Sequence, residues 1–156
     1  MTGIIDQRLE ELAIDLPPAT PPAANYIPYV VSGTLVYISG QLPMVQGKIA
    51  CRGRVGDDIT VEEAADAARH CAINIVSQIK AACDGDLDRV VRCVKIGGFV
   101  NATEKFEDHP QVINGASDLM VDIFGDAGRH SRFAVGAASL PFNAAVEIDA
   151  IFEIST

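Results

Sequence analysis

Hydrophobic and polar positions alternate most regularly over the last stretch of the chain, from Ser131 to Thr156. With side chains alternating across the pleat, Phe133, Val135 and Ala137 fall on one side of a strand and Arg132, Ala134, Gly136 and Ala138 on the other. Leu140-Pro141-Phe142-Asn143 has turn chemistry, and beyond it Ala144, Val146, Ile148, Ala150, Phe152 and Ile154 form an unbroken apolar face opposite Glu147, Asp149 and Glu153. The pattern predicts two paired terminal strands whose non-core side brings Arg132 and Glu147 together. That pair is either an ordinary salt bridge, which contributes little, or a pocket in which Arg132 holds a carboxylate and Glu147 handles a water.

The same reading places the other elements. Ile4, Ile5, Leu9, Leu12 and Ala13 give helical spacing over 4–14, which ends against the proline-rich connector Leu16-Pro17-Pro18 and Pro21-Pro22. Tyr29-Val30-Val31 and Leu35-Val36-Tyr37-Ile38, separated by Ser32-Gly33, predict a hairpin, and Gly40 at its end marks a strand end, a bulge or a close backbone approach. Lys48 to Cys51 is a short strand candidate. Thr60 and Glu63 form a capping box for a helix reaching about Cys83, with Ala64, Ala68, Cys71, Ala72, Ile75, Val76 and Ile79 as its apolar stripe. Val90 to Val100 is apolar on both parities except at Arg92 and Lys95, which predicts a central strand covered on both sides, with a bulge at Gly97-Gly98. Pro110 opens a second long helix with Val112, Ile113, Ala116, Leu119, Met120 and Ile123 buried. The order predicts an α+β fold with both main helices on one face of a sheet, and the uncovered, partly apolar face calls for burial by oligomerisation.

Composition narrows the function. At 156 residues and 49% hydrophobic, the chain is one domain's worth with an adequate core. Residues 1–25 form the N-terminal helix and proline-rich extension, and residues 26–156 form the domain. No apolar run is long enough to span a bilayer and the start has no signal-peptide pattern, so a soluble, cytoplasmic protein is expected, with no membrane partner. A net charge of −9 argues against nucleic acid. The four cysteines lack metal spacing and read as buried free thiols, and His70 as a half-exposed surface residue, so no metal site is predicted.

Arg132, Leu140-Pro141 and Glu147, with R-F-A-V-G-A-A-S-L-P followed by V-E-I-D-A-I, together resemble the C-terminal signature of the RidA (YjgF) family of reactive intermediate deaminases. Ser39-Gly40-Gln41-Leu42-Pro43 resembles the family's early strand-end motif, and Asn114 falls where its second helix offers an asparagine. The resemblance implies a chorismate-mutase-like subunit, a single layer of mixed sheet, assembling as a homotrimer with three clefts between neighbours. It implies hydrolytic deamination of 2-imino and 2-enamino acids to 2-oxo acids and ammonia, with no metal or organic cofactor. Arg132 and Glu147 would be catalytic, Arg132 also gripping the substrate carboxylate. Gly40, Asn114, Ala134 and one of two tyrosines would line the substrate, Tyr29 the better candidate because Pro28-Tyr29-Val30 resembles the family's local context and Tyr26 the other, with Ala134 standing where many members carry a cysteine. The alternative from the same resemblance is a non-catalytic trimer that binds small carboxylates or a protein partner. A ribonuclease reading, also attached to the family, is disfavoured by the acidic balance.

Overall fold

The structure, a computed structural model, describes residues 2–19, 21 and 24–156. In chain order the elements are α1 (Ile4–Glu11), β1 (Tyr29–Ser32), β2 (Leu35–Gln41), β3 (Met44–Val45), β4 (Lys48–Ile49), α2 (Val61–Ala82), β5 (Val90–Asn101), α3 (His109–Phe124), β6 (Ser131–Ala137) and β7 (Val146–Ile154). Five strands make one mixed sheet in the order β1-β2-β7-β5-β6, and β3 with β4 makes a separate small hairpin. Of the proline-rich connector, Pro22 lies outside the described residues.

α2 forms where its sequence signals placed it. The Thr60 hydroxyl accepts from the Glu63 amide and the Glu63 carboxylate accepts from the Thr60 amide, each at 3.1 Å, which satisfies two otherwise orphaned donors. Its apolar stripe and that of α3 lie against the same face of the sheet, where Val36, Ile38, Ile96, Val146, Ile148 and Phe152 are buried. α1 is shorter than its spacing suggests, because Ala13 turns into the left-handed region at φ 55 and reverses the chain. Its N-terminus is held from afar: the Ile4 and Ile5 amides donate to the two Asp88 carboxylate oxygens, both at 2.9 Å, and Lys80 pairs with Asp6 at 2.9 Å.

Three expectations are corrected. β6 and β7 do not pair, because β5 lies between them. β5, α3 and β6 make a strand, helix, strand unit whose two strands are parallel; such strands require a crossover, and here α3 is that crossover and leaves β6 at the sheet edge. β5 is central in the sheet but covered by helices on one side only: Phe99, Arg92 and Lys95 are exposed on the other, where the single chain has no second layer. The glycine pair is not a bulge either. The register of β5 against β7 shifts at Val90/Arg92 and Cys93/Lys95, whereas Gly97 and Gly98 pair regularly. At Gly98 a Cβ would come within 2.6 Å of Ile113, so the missing side chain lets α3 sit close to the sheet.

Candidate active site

The face of each site residue follows from register. Arg132 stands opposite Ile96, Ala134 opposite Gly98 and Gly136 opposite Val100, the residues of β5 that face the helices. Glu147 pairs with Phe99, on the opposite parity. The expectation that Arg132 and Glu147 share the non-core side within one chain is therefore overturned: they lie on opposite faces of the sheet. The large residues Phe133 and Val135, expected to enter the core, instead occupy the open face, where Phe133 meets Phe99 edge-on with ring centroids 5.2 Å apart.

The half-site around Arg132 sits in the seam between β6 and α3. Its Nη1 donates to the Ser117 hydroxyl at 2.9 Å and its Nη2 to the Pro110 carbonyl at 3.3 Å. The Ser117 Oγ also lies 2.8 Å from His130 Nε2, while His130 Nδ1 is 2.6 Å from the Gly128 carbonyl. A carbonyl can only accept, so His130 carries a proton on Nδ1; in the neutral imidazole its Nε2 then accepts from Ser117, and Ser117 is left to accept from Arg132. The fork is thus fixed by neutral groups. Among the described residues it has no carboxylate partner, which leaves the cation and its remaining donors open to an external anion. Asn114, exposed on α3, lies four residues after Pro110 and three before Ser117, on the same row of the helix as both groups that hold Arg132. Ala134 follows on β6, packed against the core.

The half-site around Glu147 belongs to the other face. The register of β2 against β7 shifts between Ile38 and Gln41, so Ser39 and Gly40 form an irregularity there. A Cβ on Gly40 would lie 2.8 Å from Glu147 Oε2, so only glycine allows the carboxylate this position over the strand. Glu147 is half-buried, and burial first and the neighbouring Asp149 second push its carboxyl above the ordinary range. Gly40 also lines a cavity of about 310 Å³ with Tyr26, Pro28, Ser39, Leu42 and Phe142. Of the two tyrosines, Tyr26 lines this space, whereas Tyr29 pairs with Ile38 and packs against the core. Asn74 of α2 secures the strand end, donating to the Leu42 and Met44 carbonyls at 3.0 and 3.2 Å.

Ser117 and His130 were not foreseen from the sequence; their only signal is helical spacing from Asn114 and proximity to Arg132 in the chain. The cysteines offer no nucleophile, since burial raises all four thiols, Cys93 to about 12. Among the described residues no group of three or more His, Cys, Asp or Glu could hold a metal ion, and no helix is long and apolar enough to cross a membrane.

The profile described as "YjgF/chorismate_mutase-like, putative endoribonuclease" matches residues 6–154. The chain belongs to this YjgF family. The protein TCP17 of Trypanosoma cruzi is 48% identical over 155 residues, covering 99% of this chain and 96% of its own. The crystal structure of Atu1372 from Agrobacterium tumefaciens is 54% identical and matches with a TM-score of 0.91, over 97% of this chain and 92% of that one. A Shewanella oneidensis protein, described in the same endoribonuclease terms, is 35% identical with a TM-score of 0.92, over 96% and 99% of the two chains. The YjgF fold is thus shared along nearly the whole chain.

Proposed function

We propose that this YjgF-family chain hydrolyses 2-imino and 2-enamino acids to 2-oxo acids and ammonia, at sites where Arg132 of one copy meets Glu147 of another in a homotrimer. The observation that carries the reading is the split itself. One face offers a fixed guanidinium without an acid partner among the described residues, and the other offers a half-buried carboxyl of raised pKa close to Gly40, a residue that lines an open cavity. A second copy is what can bring complementary halves together, and the apolar residues on the open face favour such association.

In this reading Arg132 grips the substrate carboxylate with the planar fork that Lys lacks, while Asn114 and Ala134 border it from the same half. Glu147, Gly40 and Tyr26 come from the neighbour. Water adds to the imine carbon to give a carbinolamine. Glu147 in its ionised form, a stronger base for its raised pKa, takes a proton from the water and returns it to nitrogen. A second transfer through Glu147 moves the hydroxyl proton to the amine nitrogen, the C–N bond breaks, ammonia leaves, and the carbon keeps its oxygen as a ketone. The residues supply binding and proton movement, and the reaction is redox-neutral.

The test generates 2-iminobutyrate in situ with an amino-acid dehydratase and traps it with semicarbazide. Wild-type protein should lower the amount of imine trapped, and Arg132→Ala should not. Equal trapping with and without wild-type protein would leave a carboxylate-binding role in place of catalysis.

A further inference from the structure

We propose that the chain carries a second anion site, for a small carboxylate or phosphate, in a cavity of about 290 Å³ between the start of α3 and the end of β6, with Arg54 as its anchor. The cavity is lined by Arg54, Thr103, Glu104, Phe106, His109 and Gly136, among others, and Arg132 is not part of it. Gly136 lies four residues beyond Arg132 on β6, about 13 Å along the strand.

Arg54 is a partly buried cation whose nearby acid is engaged elsewhere. The Asp58 carboxylate accepts from the Arg54 backbone amide at 2.6 Å. The Arg54 side chain makes one hydrogen bond, from Nη2 to the Ala102 carbonyl at 3.1 Å, while its Nε is buried without a partner. Among the described residues no carboxylate pairs with its guanidinium. A cation withdrawn from water is normally paired, and an unmade hydrogen bond to a charged group is costly. An anion in the cavity would supply the missing charge.

The surroundings suit that ligand. His109, at the first position of α3, has its imidazole over Gly136, where a Cβ would lie 2.7 Å from Nε2, and its ring meets Phe106 edge-on at 5.0 Å. The Asp108 side chain makes no capping hydrogen bond to α3, and the first turn of that helix carries no acidic residue. Thr103 adds a hydroxyl. Glu104, the carboxylate in the lining, is exposed, so solvent screens its repulsion. The walls are tied by backbone bonds, Val55 N–H to the Asn101 carbonyl at 2.8 Å and Thr103 N–H to the Val55 carbonyl at 3.1 Å, so little ordering is needed on binding. The volume corresponds to about ten waters, enough for a small organic acid or phosphate.

The test is calorimetric titration of malonate and of inorganic phosphate into the full chain carrying Arg132→Met, so that the other guanidinium does not contribute. Saturable binding is expected, at least tenfold weaker in Arg132→Met/Arg54→Met and weakened less in Arg132→Met/Arg54→Lys; the tighter probe identifies the ligand class. Absence of saturable binding to Arg132→Met, or equal affinity after Arg54→Met, overturns the site. Should Arg54→Met fail to fold, amide shifts on titration of the Arg132→Met chain decide: shifts at Thr103 and His109 support the proposal, and their absence overturns it.

Discussion

The two faces of the main sheet obey different rules. On the helix side the large residues of β2, β5 and β7, among them Val36, Ile38, Ile96, Val146, Ile148 and Phe152, are buried, and Arg132 sits at the edge with each of its hydrogen bonds going to a neutral group. On the other side Tyr37, Phe99 and Val135 are 44%, 37% and 43% exposed, interspersed with Glu147, Asp149 and Glu153. The first face is finished by the chain itself. The second has the composition of a surface awaiting a partner, and in the functional reading that partner is another copy.

Substitutions can sharpen this contrast. The largest effect is expected at Phe152, fully buried under α3: Phe152→Ala should cost about 3–5 kcal/mol, against about 1 kcal/mol for loss of the half-exposed Phe133–Phe99 contact in Phe133→Ala. Chemical denaturation of the two variants compares them, and equal losses would mean the open face is packed as tightly as the covered one.

Activity comes next. Arg132→Lys and Glu147→Gln should each lower imine hydrolysis about 100-fold, since misplacing either group spoils the approach geometry. The two inactive chains, unfolded together and refolded as a mixture, should regain a fraction of wild-type turnover, because one kind of mixed interface joins an intact Arg132 to an intact Glu147. If the mixture stays as inactive as its components, both groups act from the same chain or neither acts.

A smaller effect probes the covering layer. Thr60→Ala removes the cap of α2 and should cost about 1 kcal/mol in the denaturation midpoint, without altering the assembly measured by light scattering. Smallest is a pH effect. Because the folded chain holds the Glu147 proton more tightly than the unfolded chain, this residue's contribution to stability is fully present below the ordinary carboxylate value of about 4.3 and is lost as pH rises through the raised folded value. Glu147→Gln should therefore melt higher than wild type at neutral pH, with the difference closing in acid. A difference that widens in acid would reverse the sign of the burial argument.

How much of this was legible in the sequence depended on whether the signal was local. The capping box of Thr60 and Glu63, the apolar stripes of α2 and α3 and the first hairpin are fixed by neighbours a few residues apart, and they were read correctly, whereas Gly40 stayed open between a strand end, a bulge and a close approach because its irregularity depends on pairing with the distant β7. The family followed from the spacing of Arg132, Pro141 and Glu147. The facing of β6 did not, because alternation separates two faces without saying which one meets the helices. Phe133 and Val135 are the larger residues and were assigned inward on size. The strand's partner turned out to be β5, 36 residues upstream in register (Ile96 opposite Arg132), and α3 dictated its orientation. Tyr29 was preferred to Tyr26 on its local context, Pro28-Tyr29-Val30, and the preference is reversed for a similar reason, since the pairing with Ile38 that sends Tyr29 to the core has no local signature. The Arg54 cavity gathers residues from three distant segments and has no local signature.

The strand order also bears on synthesis. β7, residues 146–154, is the latest of the sheet's five strands to be synthesised, yet it is the one inserted between β2 and β5. Until it arrives, those two earlier strands lack their shared neighbour, and the emerging chain must keep them from pairing with each other or with a stranger. The sheet therefore waits on residues 146–154, with the slow closure that such sequence-distant pairings impose, and a chain truncated before residue 146 would hold two unjoined half-sheets.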